Sequence, residues 1–306
     1  MKKKLFIIVP TLLLSATLLT GCNVEFGVKP RPKNSNTVNL NSDKLFDNFG
    51  NDFVNNLNDI INNGYNYNNN NNNNSTVYEE DISKTIPMEG VKNVDISINA
   101  SNLTINTVDS SDFTITCKGS SSFVDKTTIE KTGNTLNIKE HSVGSNINLN
   151  SINGLYSREV VINIPKSFDK DINLSCGAGN VSINGISSKK LTIDGGAGNL
   201  TLKDIIFENL DLTQGLGNTN INLSDKSGDM NIEGGLGNLT INFAEVGGDL
   251  NYDGGMGETV ISIPNNSPVK INTSTGIGSI DINAKTSGDD IYTFDLDIGV
   301  GSLTVN

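Results

Sequence analysis

Residues 172–183, INLSCGAGNVSI, decide the fold once they are set beside 191–202, LTIDGGAGNLTL, and 230–241, MNIEGGLGNLTI. In each segment apolar and polar residues alternate, a Gly-x-Gly step interrupts, and the alternation resumes. Strict alternation is the mark of a half-buried β-strand, because successive side chains point to opposite faces. The step begins at Gly177, Gly196, Gly215, Gly235, Gly255, Gly276 and Gly299, at intervals of 19, 19, 20, 20, 21 and 23 residues. Self-similarity at this period predicts a solenoid in which each repeat stacks on its neighbour.

The columns strengthen the prediction. Five residues before each step stand Ile172, Leu191, Leu210, Met230, Leu250, Ile271 and Phe294; three before it stand Leu174, Ile193, Leu212, Ile232, Tyr252, Thr273 and Leu296. Six residues after the first glycine come Ile183, Leu202, Ile221, Ile241, Ile261, Ile282 and Val305. These columns fill an interior. The residue between the two glycines is also apolar in every repeat, from Ala178 and Ala197 to Ile277 and Val300. Intervening columns are polar: Asn173, Thr192, Asp211, Asn231, Asn251, Asn272 and Asp295 on one strand, and Ser182, Thr201, Asn220, Thr240, Val260, Asp281 and Thr304 (Val260 the one apolar member) on the other. Two strands per repeat make one rung, and the glycines allow a tight corner in each turn. The fold class expected is therefore all-β, a single-stranded, β-helix-like solenoid with rungs of about 20 residues.

Upstream, VDISIN (94–99), NLTINT (102–107), DFTITC (112–117), TLNIKE (135–140) and EVVINIP (159–165) alternate in the same way at irregular spacing. The β domain thus covers 77–306, with its regular repeats at 166–306. Residues 22–76 read as a disordered tether. They open with VKPRPKNSN and close with NNGYNYNNNNNNNNS, polar and charge-poor sequence that cannot bury enough apolar surface to offset chain entropy. One island lies inside: Leu45, Phe49, Phe53 and Leu57 recur every four residues, predicting an amphipathic helix over 43–61. Its polar face is Asn and Asp, which suits docking on the β domain or on a partner better than lying on a membrane.

The chain begins MKKKLFIIVPTLLLSATLLTGC. Three lysines precede an apolar run from Leu5 to Leu19, too short for a membrane span of roughly 20 residues. Residues 1–21 read as a secretory signal. The quartet Leu19-Thr20-Gly21-Cys22 resembles the bacterial lipobox, which implies cleavage before Cys22 and lipidation, including palmitate, at that residue. The expected address is the outer face of the cytoplasmic membrane, and the Asn-rich composition points to an AT-rich, Gram-positive host. Net charge is −12, and −15 once Lys2, Lys3 and Lys4 leave with the signal, so nucleic acid is excluded as a partner on electrostatic grounds.

The run INIPKSFDKDINLSCGAGNVSI and the repeats GGAGNLTLK and GGLGNLTIN resemble the bacterial "putative adhesin" β-strand-repeat family, domain of unknown function 4097, over about Asp95 to Asn306. The resemblance implies a β-solenoid on an envelope protein and carries no catalytic residues. GGAGNLTLK also resembles the calcium-binding toxin nonapeptide, but Leu200 and Leu239 occupy the aspartate position, and that removes the ligand.

Few residues invite chemistry. Asn180, Asn199, Asn218 and Asn238 share a turn position and read as a structural ladder, their amides bonding to the next rung. Glu233 and Asp253 are neighbours in the column two residues before the glycine step. They are the candidates for bridging a cation or for acid catalysis on a polysaccharide, and otherwise form a solvated pair. His141 reads as a surface-turn residue. Cys117 and Cys176 continue apolar alternations and should point inward as two buried thiols, with one disulfide as the alternative. No catalytic, cofactor-binding or metal residue is assigned, and no cofactor is expected. The leading expectation is a non-enzymatic, lipid-anchored surface protein presenting flat Thr/Asn/Asp faces for adhesion or cell-wall contact. An envelope sensor that binds a membrane protein, and a polysaccharide-degrading enzyme, are the alternatives. Because SLTVN ends the chain, the C-terminal strand should be the exposed end of the stack, covered by the helix of 43–61 or paired with a partner or a second copy of the chain.

Overall fold

The computed structural model describes residues 79–120, 124–141 and 158–306. The expected signal sequence of 1–21, Cys22, the expected tether of 22–76 and the expected helix at 43–61 lie outside the described residues. Eighteen strands form one continuous sheet wound into a solenoid, as the alternation and the repeat predicted.

Each regular rung has two arms joined at the glycine corner. The first arms are β8 (Asp171–Ala178), β10 (Ser187–Ala197), β12 (Ile206–Leu216) and β14 (Asp229–Leu236). The second arms are β9 (Val181–Asn184), β11 (Leu200–Lys203), β13 (Thr219–Asn222) and β15 (Leu239–Asn242). In β16 (Leu250–Ser262), β17 (Val269–Ile282) and β18 (Tyr292–Val305) one long strand supplies both arms. All these rungs pair in parallel, with every column in register: Leu191 on Ile172, Leu210 on Leu191, Met230 on Leu210. The interior columns are dry. Ile183, Leu202, Ile221, Ile241, Ile261 and Val305 are all fully buried. A short third side links the arms, carried by Ser187 beside Ile206 and by single bridges from Lys226 to Glu245 and from Ser267 to Thr286.

The corner explains the glycine step. The second glycine of each step holds a positive φ, 143° at Gly198, a region that L side chains rarely adopt. A Cβ on Gly198 would also overlap the carbonyl oxygen of Gly179 in the rung below. Both backbone shape and close approach therefore require glycine there.

Irregular spacing before Pro165 has a structural cause. β2 (Asn93–Ile98) and β3 (Asn102–Val108) form a proper rung, stacked in parallel on β8 and β9. Beyond it, β5 (Thr127–Thr132) and β6 (Thr135–Glu140) make an antiparallel hairpin. β1 (Glu79–Pro87), β4 (Asp112–Ser120) and β7 (Glu159–Pro165) pair antiparallel to close the same end. Phe113, Ile115 and Cys117 of β4 are buried there, and the Phe113 ring meets Phe168 edge-on at 5.2 Å.

The other end departs from expectation. β18 pairs with β16 on one side and β17 on the other. The last strand in sequence is thus an interior rung, and the sixth repeat, not the seventh, is the terminal one. The expectation that SLTVN forms the exposed end is corrected: Leu303 and Val305 are fully buried. β17 carries Thr273 and Thr275 where β18 carries Leu296 and Ile298. The rung with polar residues at inward positions takes the end, where water reaches them and burial costs least.

Candidate functional site: two opposed faces

Because each column stays in register, the outward residues form two flat, chemically distinct faces. On the first-arm face the columns run Asp95, Asn173, Thr192, Asp211, Asn231, Asn251, Asp295, Asn272 and Ser97, Ser175, Asp194, Thr213, Glu233, Asp253, Asp297, Ser274. Seven of these sixteen residues are acids. Amides are set between them: Asn173 donates to Asp95 at 2.8 Å, Asn231 to Asp211 at 3.0 Å and Asn272 to Asp295 at 2.8 Å. Lys190 pairs with Asp211 at 2.7 Å, and that hydrogen bond, reinforced by Asn231, holds the Asp211 carboxyl below the usual range. An open depression of about 230 Å³ lies on this face between Asp95, Lys139, Asn173 and Asp194.

The second-arm face is nearly neutral. Its main column runs Thr104, Ser182, Thr201, Asn220, Thr240, Val260, Thr304 and Asp281. Amide pairs join the rungs beside it, Asn184 to Asn106 at 3.1 Å and Asn242 to Asn222 at 2.6 Å. Sequence reading expected mixed Thr/Asn/Asp faces. The structure places most of the acids on the first-arm side, with Asp281 the one acid in the main second-arm column.

The asparagine ladder is present at the corner. The side-chain carbonyl of Asn102 accepts from the Asn180 backbone N–H, Asn180 from Asn199, Asn199 from Asn218, Asn218 from Asn238, and Asn238 from Glu258, at 2.9–3.1 Å. The positive φ sits on the adjacent glycines, so the asparagines serve as acceptors for the next rung and not as left-handed turn residues.

Glu233 and Asp253 do lie opposite one another, and Asp297 extends the row to three. All three are exposed on the flat acidic face. Among the described residues no group of three or more His, Cys, Asp or Glu side chains is placed to hold a metal ion. Leu200 and Leu239, at the aspartate position of the toxin nonapeptide, are buried core residues, 1% and 3% exposed. His141 is exposed, with its Nε2 2.8 Å from the Thr128 hydroxyl. Cys117 and Cys176 are free buried thiols, as the alternation predicted. Burial pushes the first up to about 11 and the second to about 12, with Glu140 adding to both.

Sequence reading missed two features. Glu140 is buried and accepts from the backbone N–H of Asn99 and Ala100, from the Ser101 hydroxyl and from Arg158, the last at 3.0 Å. It fixes the corner between β2 and β3, which has no Gly-x-Gly step, and an acid at the third alternating position of TLNIKE was the available signal. Inside the stack, Gln214 fills the space left by Gly195 and donates to the carbonyls of Gly198 and Leu216. Tyr252 similarly covers Gly234 and Gly254 and meets the Thr259 hydroxyl at 3.2 Å.

The fold defines a repetitive, all-β solenoid domain. Residues 91–294 match the family model described as Toastrack DUF4097, and the chain belongs to that family. Among solved structures, it is similar to a "putative cell adhesion protein" from Clostridium sporogenes, at 15% identity and TM-score 0.41 over 74% of this chain and 99% of that one. It is similar also to a "putative adhesin" from Bacteroides fragilis, at 14% and 0.40 over 75% and 99%. A "putative lipid binding protein" from Parabacteroides distasonis matches at 13% and 0.30 over 74% and 96%. No curated protein sequence matches the chain.

Proposed function

We infer that this is a non-enzymatic protein of the cell envelope, lipid-anchored through Cys22 on the outer face of the cytoplasmic membrane, whose solenoid is a binding module for wall polymer or another envelope component. The observation that carries the reading is the neutral second-arm column, in which Ser182, Thr201, Asn220 and Thr240 stand in line across four rungs. Such a column offers a hydroxyl or amide every ~4.8 Å, a spacing fixed by strand pairing. A rigid row of this kind suits an extended, repetitive ligand better than a compact one. The acidic first-arm face would repel anionic polymers, which favours contact through the neutral side. The N-terminal sequence supports the address, with its lysines, 15-residue apolar run and Leu-Thr-Gly-Cys quartet.

Metabolic labelling with a palmitate analogue tests the anchor. Label should enter the parent chain and be lost in Cys22→Ser, with the variant's membrane fraction falling. Equal labelling of both chains would contradict the assignment of Cys22.

A further inference from the structure

We propose that the terminal rung, β17, is a self-association surface that joins two copies of this chain end to end about a two-fold axis. β17 pairs with β18 alone, so its outer edge leaves a 14-residue row of backbone groups unpaired among the described residues. Ile282 is 44% exposed, whereas its five equivalents in the stacked rungs from Ile183 to Ile261, and Val305, are fully buried. Of the four exposed large apolar side chains among the described residues, three (Ile277, Ile282 and Ile291) belong to this end.

The sequence of the edge is complementary to itself. An antiparallel pairing of β17 with a second β17, centred between Thr275 and Gly276, sets Val269 opposite Ile282 and Ile271 opposite Ile280. It sets Lys270 opposite Asp281, twice, and Asn272 opposite Ser279. Every residue of the strand finds a partner. The axis passes through the glycine corner, so the first arm of one copy covers the second arm of the other, and inward columns remain inward. A two-fold contact of this type closes on itself and leads to a dimer, not a filament. Directly opposed side chains in an antiparallel pair are within contact of each other.

The opposite end is a poor partner for this edge. It is finished by antiparallel strands whose outermost member, β1, carries exposed Asp81 and Lys84, which blunt strand addition. The described chain enters at Glu79, ten strand spacings from β17, about 48 Å away.

The test uses the full chain in two differently tagged forms, mixed at micromolar concentration in mild detergent, with capture through one tag. Two parent copies should co-capture. Lys270→Asp mixed with itself, and Asp281→Lys mixed with itself, should each lose about tenfold or more, because each places like charges opposite twice. Lys270→Asp mixed with Asp281→Lys restores both attractive pairs and should return to within about threefold of the parent. That recovery also shows that both variants are folded. Absence of parent co-capture, indifference of the like-with-like mixtures to the substitutions, or failure of the mixed pair to recover would each overturn the proposal.

Discussion

Asp297 lies directly beside Asp253 across a parallel strand pair, although Ser274 stands between them in the order of the repeats. The chain passes over one rung position, lays down the end rung β17, and returns to fill the gap with β18. Removing residues 292–306 should therefore take out an interior rung and strip β17 of its partner. Hydrogen exchange should show the amides of 269–282 losing protection together with the deletion. A strictly sequential stack would leave them protected.

Gly198 separates two effects of glycine. Ala there meets both the positive φ and the Gly179 carbonyl, and should cost about 2–4 kcal/mol. Gly288 also has a positive φ, 82°, but nothing lies within 4 Å of a Cβ, so Gly288→Ala should cost about 1 kcal/mol. Denaturant midpoints of the two variants check the ordering.

Most of the rung was legible in the sequence because alternation and a recurring glycine step leave separate, mutually consistent marks. Ile172 to Phe294 could be aligned as one column without coordinates. Rung order was harder to read, since Gly276 and Gly299 head repeats of the same pattern. The difference lay in Thr273 and Thr275 at inward positions, which marks the rung that water reaches. Antiparallel closure by β1, β4 and β7 was also hidden, because parallel and antiparallel strands share the two-residue period. Gln214 was passed over because the space it fills belongs to Gly195, which breaks the apolar column; Tyr252 was placed in an interior column, but its cover of Gly234 and Gly254 was not legible.

Glu140 should be the costliest polar residue to remove. Its side chain is 1% exposed and neutralises Arg158, 9% exposed, so Glu140→Ala leaves a buried cation and unpaired corner amides, at about 3–5 kcal/mol. Removing Glu245, in an exposed pair with Lys226 at 3.6 Å, should change stability by no more than about 0.5 kcal/mol. Thermal unfolding of Glu140→Ala and Glu245→Ala compares them.

The two thiols predict a pH dependence with a definite sign. Their folded values are about 11 and about 12, above the ordinary 9.0. The unfolded chain therefore loses these protons first as pH rises, and folding retains them. Their contribution to stability is fully present below pH 9.0 and is lost as pH climbs through 11 to 12. Cys117→Ala/Cys176→Ala should flatten that decline. In the native state neither thiol should react with a maleimide at neutral pH, and both should react in denaturant.

On the proposed function, the neutral second-arm face does the binding. The most direct measurement is co-sedimentation of the full chain with purified cell-wall material, comparing the parent with Thr201→Lys/Thr240→Glu and with Glu233→Gln/Asp253→Asn. Binding by the parent should saturate and survive moderate salt; the first variant should lose it and the second retain it. Loss through the acidic face with the Thr/Asn face indifferent, or no saturable binding by the parent, would contradict the account.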